Sequence, residues 1–382
     1  MSKLRKIMRN KYIFISILLL INFHSILSLL LLNSESQKNI NINLSSKLSS
    51  IKKIGRYYIK NNIIYLAQSG SSIEFYLKAK KGLISIYSDF SYLHENYEKP
   101  RYSIYLNDKI FLDTKIQKKE EKILLFDFNQ EKKFKIKVIL LSEASVGNIG
   151  IRNLEINTDI NENDIISPTE DKKYLIEFVG DSITCGYGIE SNAPNESFDT
   201  GTENFEKTYA FLSAKELNFD YSAICYSGCG IITPGNKMIN RYSEINSFAN
   251  STEWNFKYNN NKKADIIVIN LGTNDYNYAL SFEDDIYSEK YAEFIKKVRE
   301  KNPSAFIICI YGMMGGEELF NYILKGIKSL KDNKIFGYLI PEQKFEDGYG
   351  AQYHPNEKSH FKWSKIITKL IGKILNIEKN LR

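Results

Sequence analysis

Ser182 lies in the run Phe178-Val179-Gly180-Asp181-Ser182-Ile183-Thr184-Cys185-Gly186-Tyr187-Gly188, directly after an apolar strand over residues 175–179. That spacing delivers a hydroxyl to the carboxyl end of a strand, at a sharp turn that small residues permit. A helix amino terminus expected just beyond it favours developing negative charge. A serine so placed is a candidate nucleophile. It needs a base to take its proton and donors aimed at an oxyanion. The chain has four histidines. His24 and His94 lie far upstream, which leaves His354 and His360. His354 stands in Gly348-Tyr349-Gly350-Ala351-Gln352-Tyr353-His354-Pro355-Asn356, a loop before the last helix that Pro355 and a capping Asn356 would hold. It is the expected base. His360, on that helix beside Phe361 and Trp363, reads as a partly buried structural histidine. Two more strand-like runs end in small or polar residues: Tyr226-Ser227-Gly228-Cys229-Gly230 and Asn270-Leu271-Gly272-Thr273-Asn274-Asp275. The backbone N–H groups of Ser182 and Gly228 and the Asn274 amide would form the oxyanion hole. The chemistry these residues support is acyl transfer through serine.

The elements that must position them follow from hydrophobic period. From Ser167-Pro168 onward, strand-like runs (174–179, 221–226, 266–271, 306–311, 335–340) alternate with helical ones (205–217, 286–299, 317–330, 357–375). Alternating β and α predicts a mainly parallel sheet covered on both faces, with its site at the carboxyl ends of the strands. From residue 54 to about 156 the period is two instead. Ile73, Phe75 and Leu77 alternate with polar neighbours, as do Tyr102, Ile104 and Leu106, and Phe134, Ile136, Val138 and Leu140. Turn signals at Asn61-Asn62, Ser69-Gly70-Ser71, Lys81-Gly82, Asn107-Asp108 and Asn129-Gln130 separate them. Short alternating strands without helices predict an antiparallel sandwich.

Composition narrows the classes. The chain has 382 residues, 43% hydrophobic and 13% aromatic, so it is folded and long enough for two domains. The net charge is +7, but Lys3, Arg5, Lys6, Arg9 and Lys11 supply five of those charges. The remaining +2 gives no concentrated basic surface, and nucleic acid is not an expected partner. Those five residues precede an apolar run over residues 13–32, the pattern of an export signal. It is either cleaved, with Ser34 and Ser36 before the cut, or kept as an anchor, since about 20 residues span a bilayer. Both readings place the rest outside the cytoplasm, and a membrane is a partner only in the second. Cys185, Cys225, Cys229 and Cys309 lack zinc-site spacing. They read as buried thiols, with a disulfide at Cys229 the other reading. The expected organisation is a signal at 1–36, a linker at 37–52, a β-sandwich at 53–167 and a hydrolase domain at 168–382.

The ordered set Gly180-Asp181-Ser182-Ile183, Ser227-Gly228, Gly272-Thr273-Asn274-Asp275 and His354-Pro355 resembles the SGNH (GDSL-type) hydrolase superfamily. Further detail is similar to carbohydrate esterase family two: Cys185 in the nucleophile block, Gly55-Arg56, Ser69-Gly70-Ser71, Thr202-Glu203-Asn204, Trp254-Asn255-Phe256 and His360. The resemblance covers about residues 50 to 375. It implies a three-layer α/β/α, flavodoxin-like hydrolase domain preceded by an all-β, jelly-roll-like sandwich. It implies Ser182 as nucleophile, His354 as base, and Ser182, Gly228 and Asn274 as the oxyanion hole. The implied substrate is an O-acetyl ester on an acetylated polysaccharide or oligosaccharide such as xylan or glucomannan, with no metal or organic cofactor. Other substrates of the same fold, a lipid or another acetyl ester, and a catalytically weak glycan binder are the competing readings.

One departure from the pattern matters. Many such enzymes carry an aspartate three residues before the histidine, where this chain has Ala351, followed by Gln352. Gln352, Asp347 or Glu346 folding back, or a backbone carbonyl could then orient the imidazole, and the expectation is a Ser-His dyad with a non-carboxylate orienter. Tyr187, Tyr276 and Tyr353 flank these motifs and read either as sugar-packing rings or as plain walls. Asn195-Glu196-Ser197 and Asn250-Ser251-Thr252 are sequons that a eukaryotic source would glycosylate.

Overall fold

The computed structural model describes residues 38–245, 263–281 and 285–376. The export-signal segment, Trp254-Asn255-Phe256 and the sequon at Asn250 lie outside the described residues. Among those described, no helix is long and apolar enough to cross a membrane.

Ten strands form one antiparallel sheet in the first half: β1 (Lys38–Asn43), β2 (Lys52–Ile54), β3 (Tyr57–Lys60), β4 (Ile63–Leu66), β5 (Ser72–Ser88), β6 (Arg101–Leu106), β7 (Lys109–Lys115), β8 (Glu120–Leu140), β9 (Ile149–Thr158) and β10 (Ile166–Pro168). The main path runs β3-β4-β9-β5-β8-β6-β7, with β1 on β9 and both β2 and β10 on β5. Asn61-Asn62 and Asn107-Asp108 take the left-handed conformation at both central positions, as the tight turns joining β3 to β4 and β6 to β7 require.

Two expectations are corrected here. Lys81-Gly82 and Asn129-Gln130 are not turns. Both lie inside long strands, where β5 and β8 shift register together between Ala79↔Lys132 and Lys81↔Asp127. Small and polar residues accommodate a bulge as well as a turn, and here the ladder resumes with the same neighbour. The stretch 37–52 is also not a plain linker. β1 pairs with β9 over six residues, and Ile42 and Leu44 enter the β-region core. Its Asn and Lys positions masked that short alternation.

The second half is a parallel sheet of β11 (Leu175–Gly180), β12 (Asp220–Cys225), β13 (Ile266–Asn270), β14 (Phe306–Tyr311) and β15 (Ile335–Leu339), ordered β12-β11-β13-β14-β15. Its helices are α1 (Ser182–Cys185), α2 (Tyr209–Leu217), α3 (Met238–Arg241), α4 (Tyr276–Ala279), α5 (Ile286–Lys301), α6 (Glu318–Ser329) and α7 (Glu357–Ile374). Strand residues alternate between two cores. Ile176, Phe178, Ile266, Val268 and Ile308 pack with α2 and α7. Val179, Ile267, Ile269, Ile307 and Cys309 pack with α5 and α6. Three α/β/α layers result, in a flavodoxin-like order with β11 at the switch point. The expected strands coincide with these to within two residues, because the strands of a covered parallel sheet are mostly apolar along their length.

The β region is bonded to the parallel sheet rather than merely attached. The Lys52 ammonium lies 2.5 Å from the Asp220 carboxylate, and both are nearly buried. Arg56 faces Glu177 at 3.8 Å on β11. Gln68 Nε2 donates to the Tyr226 hydroxyl at 2.7 Å. At Gly70, with φ +74°, an added Cβ would stand 2.3 Å from the Phe205 ring. Glycine is required there by both conformation and contact.

Candidate active site

The register of the parallel sheet brings the three motifs together. Gly180 pairs with Cys225 on one side and Asn270 on the other, so the residues that follow each strand emerge side by side. Ser182 opens α1. Asp181 caps it, its Oδ1 accepting from the Ile183 N–H at 3.1 Å. Ser182 is 6% exposed, enough for a hydroxyl to meet a small acyl group.

The His354 loop docks directly on the nucleophile turn. The Ala351 N–H donates to the Gly188 carbonyl at 3.1 Å, and the Gly350 N–H closes the loop onto the His354 carbonyl at 2.7 Å. Gly188 has φ +58°, and a Cβ there would lie 2.5 Å from that of Ala351. The loop approaches this closely only because residue 188 has no side chain. Asn356 caps α7 through the Lys358 and Ser359 N–H groups and donates to the Asp347 carbonyl at 2.7 Å. The imidazole therefore reaches Ser182: Nε2 lies 3.0 Å from Oγ. On its other side Nδ1 lies 3.1 Å from the Ala351 carbonyl oxygen. That contact fixes the tautomer with the proton on Nδ1 and leaves Nε2 free to accept. Burial pushes the His354 pKa below its ordinary value, against the Ala351 and Gln352 backbone, which favours the proton.

Gln352 and Asp347 do not orient the ring. Gln352, at φ 50° and ψ 42°, turns its side chain outward, where Oε1 accepts from the Tyr187 hydroxyl at 2.5 Å. Asp347 pairs with Lys362 at 2.6 and 2.7 Å. Tyr187 packs against His354 itself, with ring centroids 4.3 Å apart, and stacks on Phe198 at 4.6 Å. Tyr276 donates to Glu318 at 3.0 Å. Tyr353 is 54% exposed beside the site, with its ring 5.7 Å from that of Tyr349. His360 is buried. Its Nδ1 accepts from the Tyr209 N–H at 3.1 Å, and burial holds its pKa down to about 3.

Gly228 follows β12 at φ +72°, where an added Cβ would meet only Asn236 Nδ2, at 3.5 Å. The Asn274 amide donates to the Cys229 carbonyl at 2.9 Å, with Asp181 Oδ2 3.4 Å away. Burial, reinforced by Asp275, pushes the Asp181 carboxyl up to about 7. Asp275 accepts from the N–H groups of Ile231, Ile232 and Thr233 at 2.7 to 2.9 Å, fixing the loop beyond Gly228. The sequence reading assigned no role to Asp181 or Asp275, although the helix-cap signature of Gly-Asp-Ser was available for the first. All four cysteines are buried thiols, Cys229 included. Among the described residues, one group of three metal-capable side chains converges: Glu143, Cys185 and Glu203, all buried. The partners seen at Glu143 are N–H and S–H donors.

Residues 176–367 match the GDSL-like lipase/acylhydrolase family. The chain is 30% identical over 233 residues to the cellulase/esterase CelE of Acetivibrio thermocellus, covering 57% of this chain and 27% of that protein. It is 21% identical over 273 residues to an acetylxylan esterase / glucomannan deacetylase of Cellvibrio japonicus, covering 69% and 73%. It thus spans about a quarter of the first relative's length. Its fold is similar to a family two carbohydrate esterase from Clostridium thermocellum in complex with cellohexaose (TM-score 0.75, 24% identity, 86% of this chain and 99% of that one). It is also similar to an acetyl xylan esterase from Butyrivibrio proteoclasticus (TM-score 0.76, 20% identity, 89% and 99%). The family match runs from the first parallel strand into the last helix, the same stretch whose strand ends converge on Ser182. On that ground the chain belongs to the GDSL-like lipase/acylhydrolase family.

Proposed function

We propose that this protein is a serine esterase that removes O-acetyl groups from plant cell-wall polysaccharide, xylan or glucomannan. The observation that carries the reading is the 3.0 Å approach of His354 Nε2 to Ser182 Oγ at the converging strand ends. Ser182 Oγ attacks the acetyl carbonyl carbon while Nε2 takes its proton. The carbonyl oxygen becomes an oxyanion facing the N–H groups of Ser182 and Gly228 and the Asn274 amide. Collapse breaks the ester C–O bond, and His354 returns the proton to the departing sugar oxygen. Water, deprotonated by the same nitrogen, then attacks the acetyl-serine, and His354 returns that proton to Ser182 Oγ as the acyl C–O bond breaks and acetate leaves.

The carbohydrate part of the reading rests on the names of the relatives and on two local features. Exposed Tyr353 stands next to the base, a surface suited to a sugar ring. A cavity of about 330 Å³, lined by His94, Glu98, Tyr187 and Phe198 among others, opens where the β region meets the hydrolase domain. We read the β region as a jelly-roll-like sandwich that forms one wall of the substrate path, and the protein as exported, released or anchored. The experiment is acetate release from acetylated xylan, acetylated glucomannan and a long-chain ester, with Ser182→Ala as control. Release from the polysaccharides that vanishes in the control is the expected result. Preference for the long-chain ester would overturn the carbohydrate reading in favour of a lipid substrate. No release from any of them would leave a glycan binder.

A further inference from the structure

The turn after β8 belongs to the β region, yet one of its side chains ends beneath the proposed oxyanion hole. Glu143 is 3% exposed. Its Oε2 accepts from the Ser227 N–H at 2.7 Å and lies 3.7 Å from the Cys185 thiol, a donor from the end of the nucleophile helix. Its own N–H donates to Glu203 Oε2 at 3.1 Å. Ser227 is gripped on the other side as well: Asn236 Nδ2 donates to the Ser227 carbonyl at 3.1 Å. That carbonyl and the Gly228 N–H belong to one planar peptide unit and point in opposite directions. Holding the carbonyl therefore aims the N–H. Gly228 itself has φ +72° and no side chain to stiffen it. Its direction must come from its neighbours.

We propose that Glu143 and Asn236 are positioning residues that together aim the Gly228 N–H at the developing oxyanion, so that the β region supplies part of the esterase machinery. The inference rests on the serine-esterase reading. The local electrostatics agree with it. Burial, and next the charge of Glu143, push the Glu203 carboxyl well above the usual carboxylate range. The carboxylate that raises Glu203 is the one whose Oε2 receives the Ser227 N–H.

The test uses the whole chain, p-nitrophenyl acetate as substrate and phenylboronic acid as a probe that becomes a tetrahedral anion on the serine. Glu143→Ala and Asn236→Ala are expected to lower kcat by about 10- to 100-fold, less than outright loss of an oxyanion donor. KM should stay within about twofold, and boronate affinity should fall in step with kcat. Glu143→Gln keeps an acceptor oxygen and should recover kcat to within about fivefold of wild type. Asn236, on a half-buried loop, keeps the test open if Glu143→Ala does not fold. An inactive wild type would overturn the esterase reading itself. An active wild type with folded variants of unchanged kcat would overturn the positioning role. So would a fall in kcat that leaves boronate affinity untouched, or a glutamine variant as impaired as the alanine one.

Discussion

Tyr187 lies against the imidazole of His354, its ring centroid 4.3 Å away and its plane tilted by 32°. Together with the Ala351 carbonyl on Nδ1, this contact holds the imidazole where a three-residue arrangement would use a carboxylate. Asp347→Asn is accordingly expected to keep kcat/KM within about threefold. His354→Ala should lose on the order of 10³- to 10⁴-fold. Steady-state rates on an aryl acetate check both. Equal losses would mean that Asp347 supports the ring in solution.

The pH dependence follows from the same environment. In the proposed reaction His354 acts only when neutral, and its pKa lies below the ordinary imidazole value because of burial. As pH falls, the base is lost only below about 6.5, so the acid limb of kcat/KM should lie on the acid side of that value. A limb above 6.5 in a pH–rate profile would contradict the burial argument.

Removing the Tyr187 ring opens His354 to water and frees Gln352. Tyr187→Ala should therefore move the acid limb upward toward 6.5 and lower kcat, the opposite of what loss of a mere substrate wall would do. A wall residue would raise KM and leave the limb in place. The same profile, measured on the variant, separates the two.

Asp181 gives a stability signature. Its pKa rises from 3.8 to about 7 on folding, so the folded chain holds a proton that the unfolded chain has lost. Stability from this group is fully present below about pH 4 and declines as pH rises through 7, by up to roughly 4 kcal/mol over the window. Asp181→Asn keeps the cap oxygen for Ile183 and removes the titration. Urea unfolding at pH 5 and pH 8 should show a smaller loss for the variant than for wild type.

Gly70→Ala forces a Cβ into Phe205 at a positive φ, and should destabilise by about 2–4 kcal/mol. Gly235→Ala is its control. Gly235 has the same φ of +74° but nothing within 4 Å of an added Cβ, so it should cost only about 1 kcal/mol. Thermal unfolding of the two variants separates clash from strain.

Much of the site was legible because its side chains are rare or sharply spaced. Ser182 and Asn274 follow mostly apolar strands, and His354 precedes a capped helix. What the sequence hid is of two kinds. The Ala351 carbonyl is a backbone atom, common to every residue, and only the left-handed Gln352 and Tyr353 bring it under Nδ1. Glu143 is 84 positions from the N–H it holds, and no local period announces such a contact. Strand β1 was obscured because its Ile residues alternate with asparagines that also suit loops. The bulges of β5 and β8 use the same small and polar residues as turns.

The bonds across the seam have a consequence for how such chains exchange parts. Lys52 with Asp220, Arg56 with Glu177, and Glu143 with Ser227 each divide one working unit between the two halves of the chain. A crossover near residue 170 would leave a buried polar group without its partner at each of them and carry the serine away from part of its support. The β region and the parallel-sheet half therefore form a single cassette, and grafting either half onto another scaffold requires transplanting the residues that face it.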